Sequence, residues 1–177
     1  MNIRFIIVIG AFLPGIAVYA QTNSQGAKWK EYIYPEHEFA ITLPSDPHPH
    51  ESSQMPGGTA YTVSLSDGGG LSLHTMNAGD KCIAGLKAQE QQYAKRNTGA
   101  AKSELNGFKA IYFRKVTAVE YNAIEFLQQV PNGRMDYERW ICGHHRLFVI
   151  VVSWDSGQQQ PRELERIVNS FRLLTKK

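Results

Sequence analysis

The stretch RLFVIVVSWDSGQQQPRELERIVNSFRLL, residues 146–174, decides the fold. It opens on six unbroken apolar residues, Leu147 to Val152, mostly β-branched or aromatic. A run this short cannot span a membrane, so it reads as a strand buried on both faces. Trp154 and the polar turn Asp155-Ser156-Gly157 follow. From Pro161 to Phe171, Leu164, Ile167, Val168 and Phe171 recur at helical spacing, which puts one stripe of a helix on a core. Pro161 suits a first helical turn, where its missing N–H costs nothing. A central strand followed by a helix that packs back on it defines an α+β domain.

Working outward, the order is strands, a helix, more antiparallel strands and the long C-terminal helix. Tyr32–Tyr34 and Phe39–Leu43 are strand candidates around a tight turn at Glu36-His37-Glu38. Residues 45–59 hold Pro47, Pro49, Pro56, Gly57 and Gly58 and read as a loop. Tyr61, Val63 and Leu65 alternate with polar residues, and Asp67-Gly68-Gly69-Gly70 turns the chain into a partner strand with Leu71 and Leu73 inside and Ser72 and His74 outside. Asp80 is placed to cap a helix carrying Ile83, Leu86, Glu90 and Tyr93. Strands over 108–116, 123–130 and 134–142 follow, the last two joined by Pro131-Asn132-Gly133, and a short tail ends the chain. The expected architecture is a single-domain α+β sandwich, an antiparallel sheet covered by two main helices.

The chain has 177 residues, 42% hydrophobic and 20% charged, enough for one well-cored domain. Residues 1–20 have the layout of a secretory signal: Arg4, an apolar run from Phe5 to Ala17, and Val18-Tyr19-Ala20 at the cleavage point. Residues 21–28 form a flexible leader and 29–177 the domain. The chain is therefore expected to be secreted or periplasmic, with no membrane span after cleavage. Losing Arg4 lowers the net charge from +3 to +2, too little for a nucleic-acid partner. Cys82 and Cys142 are the only cysteines, and an oxidising compartment favours a disulfide between them.

Trp29, Tyr32 and Phe39-Ala40-Ile41-Thr42-Leu43-Pro44 resemble the opening of the PsbP/Mog1-like family, an aromatic before a hairpin whose second strand ends in proline. Ile167-Val168-Asn169-Ser170-Phe171-Arg172-Leu173-Leu174 resembles that family's closing helix and its Ser-Phe exit. The resemblance implies an α/β/α-type sandwich and a largely non-catalytic role: members include photosystem accessory subunits, a Ran-binding protein and exported bacterial proteins of unknown role. It carries over no partner-contact residue.

Chemistry-bearing patterns are sparse. His48-Pro49-His50-Glu51 puts two imidazoles on one side of an extended segment, with a carboxylate beside them, and is the candidate metal site. His144-His145 are adjacent, so a turn histidine and a strand-start histidine cannot easily share an ion. No Gly-x-Ser-x-Gly elbow, His-Glu-x-x-His or phosphate loop occurs, so no catalytic residue and no cofactor is assigned. Glu120, Glu125, Asp136 and Glu138 could supply acid–base pairs, but alternate strand carboxylates usually mark a solvated face. Tyr32, Tyr34, Tyr61, Tyr112, Tyr121, Tyr137 and Trp140 either line a partner groove on the sheet or lie beneath the helices. The expected function is an exported, non-enzymatic accessory domain with a protein partner. The alternative is a metal-dependent or hydrolytic enzyme using the loop histidines.

Overall fold

A computed structural model describes residues 28–97, 108–117 and 121–175. The expected signal sequence and, apart from Lys28, the leader lie outside the described residues. The strands are β1 (Lys30–Tyr34), β2 (Phe39–Leu43), β3 (His48–Glu51), β4 (Thr59–Ser64), β5 (Gly70–Asn77), β6 (Lys109–Thr117), β7 (Asn122–Gln129), β8 (Arg134–Gly143), β9 (Arg146–Asp155) and β10 (Arg172–Leu173). The helices are α1 (Lys81–Asn97) and α2 (Leu164–Ser170), with a short 3-10 turn at Pro35–His37. Seven strands form one antiparallel sheet in the order β3-β4-β5-β9-β8-β7-β6, and β1-β2-β10 form a second, smaller sheet.

The apolar run lies at the centre of the large sheet, as β9, between β5 and β8. Because side chains alternate, Phe148, Ile150 and Val152 face one side and Leu147, Val149 and Val151 the other. Phe148, Ile150 and Val152 are fully buried and share a core with Phe39, Ile41 and Leu43 of β2 and with Leu164, Ile167 and Phe171. The opposite row packs with Cys82 and Leu86 of α1 and with Ile124. Burying each such side chain contributes about 1.5–3 kcal/mol, so both covers are energetically demanded by one strand. Tyr93 of α1 stacks on Phe113 at 5.7 Å and meets Phe126 in a tilted contact at 4.2 Å, extending that cover across β6 and β7.

The α+β class holds, but the molecule is dominated by its sheets and not covered by two long helices. The small sheet does most of the work on the β2 side. The C-terminal helix spans only seven residues instead of reaching from Pro161 to Phe171. At its start, the Glu163 carboxylate accepts from the Ser66 N–H (3.2 Å) and hydroxyl instead of capping its own helix. At its end, the Ser170 hydroxyl donates to the Ile167 carbonyl at 2.7 Å and accepts from the Thr42 N–H at 2.9 Å. Phe171 then turns extended, so the expected tail pairs with β2 as β10, Arg172 opposite Ala40.

The expected loop over 45–59 contains β3, paired antiparallel with β4 from His48 opposite Thr62 to Glu51 opposite Thr59. Proline density argued for a loop, yet an edge strand tolerates Pro49, which needs no ladder donor on its solvent side. The hairpin turn at Pro131-Asn132-Gly133 forms as expected, with Gly133 at φ 82°, which only glycine adopts freely. Cys82 and Cys142 are joined in a disulfide with Cα atoms 5.7 Å apart, tying the start of α1 to the end of β8. Closing 60 residues of chain contributes about 4 kcal/mol in the chain-entropy account.

Phe171, 4% exposed, stacks on Phe39 at 5.8 Å and meets Phe148 edge-on at 5.2 Å, so it joins three elements at once. Phe171→Ala is expected to lower unfolding free energy by about 3–5 kcal/mol in urea denaturation. A transition midpoint equal to that of the unaltered chain would refute this placement.

Candidate functional site

Strand β6 carries one irregularity, a register shift between Ala110 and Tyr112 that leaves Ile111 unpaired with β7. The extra residue resets the alternation. Phe113 goes under α1, while Tyr112 and Arg114 go to the face that carries α2. There Arg114 lies opposite Glu125 of β7, and Glu125 lies opposite Arg139 of β8, a row of three charges across three strands.

Glu125 has no solvent exposure, Arg139 is 6% exposed and Tyr137 4%. Arg139 donates to one carboxylate oxygen of Glu125 through Nε at 3.0 Å and Nη2 at 2.6 Å, and Tyr137 donates to the same oxygen at 2.7 Å. Arg114 donates to the other oxygen through Nε. Arg139 Nη1 also reaches the Val168 carbonyl at 3.2 Å, one of the last carbonyls of α2 and one that the helix itself leaves unpaired. Burial alone would push the Glu125 carboxyl up. The hydrogen bonds from Tyr137, Arg139 and Arg114 outweigh it and hold the group below its usual 4.5. Burial pushes the Tyr137 phenol far up, so it stays a donor, and burial with the Glu125 charge also raises Tyr112.

Above this row lies a cleft of about 260 Å³ between the sheet and α2. Tyr112, Arg114, Tyr137 and Arg139 line it from the sheet, and Glu165 and Asn169 from the helix. The opposite face of the sheet, toward β4 and β5, holds a wider trough of about 480 Å³ with Thr62, Ser64, Ser72 and Ser153 in its lining. Its carboxylates are engaged: Asp136 with Arg134 at 3.1 Å, and Glu138 with Gln128 at 3.0 Å and Trp140 Nε1 at 2.8 Å.

The expected solvated face of alternating carboxylates is therefore corrected at Glu125 and Asp136, both buried, because each has a paired arginine. His74, expected on an outer face, is 4% exposed and sits between Ser52 Oγ (2.8 Å) and Ser72 Oγ (3.0 Å). Burial, then the neighbouring His50, lower its pKa, which favours the neutral ring. His48, His50 and Glu51 are all exposed on edge strand β3. His48 and His50 share a face, and Glu51 takes the other. His144 and His145 are both turn residues at positive φ, 53° and 63°, so His145 does not begin a strand. They diverge: His144 Nδ1 lies 3.6 Å from Glu38 and His145 Nδ1 lies 3.3 Å from Asp80. Among the described residues no cluster of three or more His, Cys, Asp or Glu side chains is arranged to hold a metal ion. Of the aromatics, Tyr61 and Tyr137 are buried, and Tyr112 lines the cleft. Sequence reasoning missed the Arg114–Glu125–Arg139 row. The signal was present: Glu125 and Arg139 are equidistant from Asn132, so a tight hairpin sets them opposite each other.

The architecture is shared with known structures. The cyanobacterial PsbP (CyanoP) of Synechocystis sp. PCC 6803 matches with a TM-score of 0.58 at 13% identity, covering 92% of this chain and 98% of that one. A crystal structure from Bacteroides thetaiotaomicron VPI-5482 matches with a TM-score of 0.53 at 13% identity, covering 83% of this chain and 49% of that one. No family model and no curated protein matches. The chain has a PsbP-like fold. Among the described residues no helix is long and apolar enough to cross a membrane.

Removing the Glu125 charge strands Arg139 in the core. Glu125→Gln is expected to cost about 3–5 kcal/mol in chemical denaturation, as when one partner of a buried pair is lost. Arg114→Gln should cost no more than about 1 kcal/mol, since that side chain is 66% exposed. The folded carboxyl titrates below the unfolded one, so its stabilisation is present above about pH 4.5 and is lost as pH falls through the folded value. That portion of the acid-side decline should vanish in Glu125→Gln. An unchanged acid profile would contradict the assignment.

Proposed function

We propose that this chain, with its PsbP-like fold, is an exported, non-catalytic accessory protein that binds a partner molecule. The observation that carries the reading is how the charges of the cleft are spent. Both oxygens of Glu125 are held by donors, and Arg139 donates at once to a carboxylate, to the Tyr137 phenol oxygen at 3.1 Å and to a helix carbonyl. A general acid or base needs a proton that moves near working pH. This carboxylate is locked in its charged form, which suits a rigid recognition surface. The secretory layout of residues 1–20 and the Cys82–Cys142 disulfide support an oxidising, extracytoplasmic location.

One observation favours a metal-dependent alternative. His48 and His50 stand at alternate positions of an exposed edge strand, so both imidazoles are open on one face, with Glu51 on the other.

A photo-crosslinking residue at Asn169, on the cleft rim, tests the main reading in the native host. The expected result is a discrete crosslinked species in the extracytoplasmic fraction, from a chain whose N-terminal sequence begins at Gln21. Recovery in the cytoplasm with Met1 retained, or irradiation that yields no discrete species, would overturn it. Zinc-dependent hydrolysis that is lost in His48→Ala and His50→Ala would replace it with the alternative.

A further inference from the structure

We infer that the cleft between β6 and α2 is a carboxylate-binding site read by the terminal N–H groups of Arg114. The inference deepens the proposed binding role and rests on it only for the premise that the cleft is a recognition surface. Four observations converge. The first is charge balance. Glu125 needs one buried counter-charge, and Arg139 supplies it with two hydrogen bonds to a single oxygen. Arg114 is a second cation on the same carboxylate, so the row itself is left with one positive charge on the sheet side, and Glu165 is the second carboxylate of the lining, on the helix side.

The second is orientation. Arg114 is tethered to Glu125 through Nε, the inner nitrogen. Such a tether leaves the two Nη groups as a fork, whose geometry matches a carboxylate with two parallel bonds. The side chain is 66% exposed and lines the cleft, so the fork is reachable. The tether also removes rotamer freedom before any ligand arrives, which lowers the ordering cost of binding.

The third is the bulge at Ile111. Tyr112, next to the bulge and two residues before Arg114, shares a face with it at the mouth of the cleft, and the residue is 37% exposed. Bulges recur where a side chain must be re-aimed beside a site. The exposed ring offers an apolar surface beside the fork, and Asn169 on the helix side offers an amide. The fourth is size. A cleft of about 260 Å³ lies below the roughly 300–1,000 Å³ of sites that enclose drug-sized molecules. The occupant is therefore a small organic acid or the terminal residue of a chain. Both present the same group, a carboxylate on a small apolar body.

Amide chemical-shift titration of the intact mature protein separates the sources. Benzoate stands for the free acid and benzamide for its uncharged isostere. A tripeptide Ala-Ala-Phe with a free C-terminus is compared with the same peptide amidated. The expected result is saturable shifts at Tyr112, Arg114 and Asn169 with at least one acid, half-saturating at about 1 mM or below, and none with the neutral counterpart. Response to benzoate alone assigns a small acid. Response to the free tripeptide alone assigns a chain terminus. Arg114→Gln should weaken that binding by about tenfold to a hundredfold, the range of a charge-assisted hydrogen bond, while lowering the thermal melt by no more than about 4 °C. Arg114→Lys should restore charge but not full affinity, because the fork is lost. Equal response to acid and amide, shifts confined to other faces, or undiminished binding in Arg114→Gln would overturn the inference. A crosslinked partner at Asn169 with no carboxylate response leaves the binding role standing and removes only this ligand class.

Discussion

A strand that is apolar on both faces has to be covered on both, and β9 imposes that requirement on the whole chain. On one side the cover is the β1-β2-β10 sheet with α2, closing over Phe148, Ile150 and Val152. On the other it is α1, closing over Leu147, Val149 and Val151. The disulfide ties that second cover to β8, next to β9. Neither cover is wide enough for a sheet of seven strands. Helix α1 lies over β6, β7 and β8, and the polar trough opens on the same face toward β4 and β5. On the reverse face the cleft opens where α2 ends over β6 and β7. The two recesses follow from one constraint, met by two covers displaced in opposite directions.

The charged row belongs at the margin of the first cover, the one that includes α2. Under its centre, an ion would lose hydration with little to replace it. At its edge, Glu125 can be sealed by Tyr137 and Arg139 while Arg114 remains in water. The Val168 carbonyl links the row to α2, so the position of the helix and the orientation of Arg139 are set together. Buried ion pairs contribute little net stability against apolar packing of similar volume. Their value here is directional: the row fixes which way the exposed guanidinium is held.

Much of this was legible in the residues. The β9 run, the alternation of Tyr61 and Val63, and the Pro131-Asn132-Gly133 turn each named their element, because apolar period and turn chemistry act locally. Likeness in element order to PsbP-like proteins was visible at both chain ends. What stayed hidden depended on tertiary pairing. His48-Pro49-His50-Glu51 carries no strand pattern of its own and becomes a strand only because β4 offers an edge. The seven residues of α2 are fewer than Leu164, Ile167, Val168 and Phe171 suggest, since Phe171 keeps its place in the core after the helix has ended. Glu125 looked solvated because alternation alone does not say which face is covered. Counting outward from Asn132 would have paired it with Arg139, but the β6–β7 register that sets Arg114 opposite Glu125 left no mark in the pattern.

The claim on which the rest turns is that Glu125 remains an anion inside the fold and holds Arg114 in place. Carbon-13 NMR of the Glu125 side-chain carboxyl, followed through an acid titration of the folded protein, measures this directly. The account predicts a midpoint below 4.5, raised when Arg114 is replaced by glutamine. A midpoint above 4.5, or one unmoved by that replacement, would mean that burial wins over the arginines and that the row does not organise the cleft.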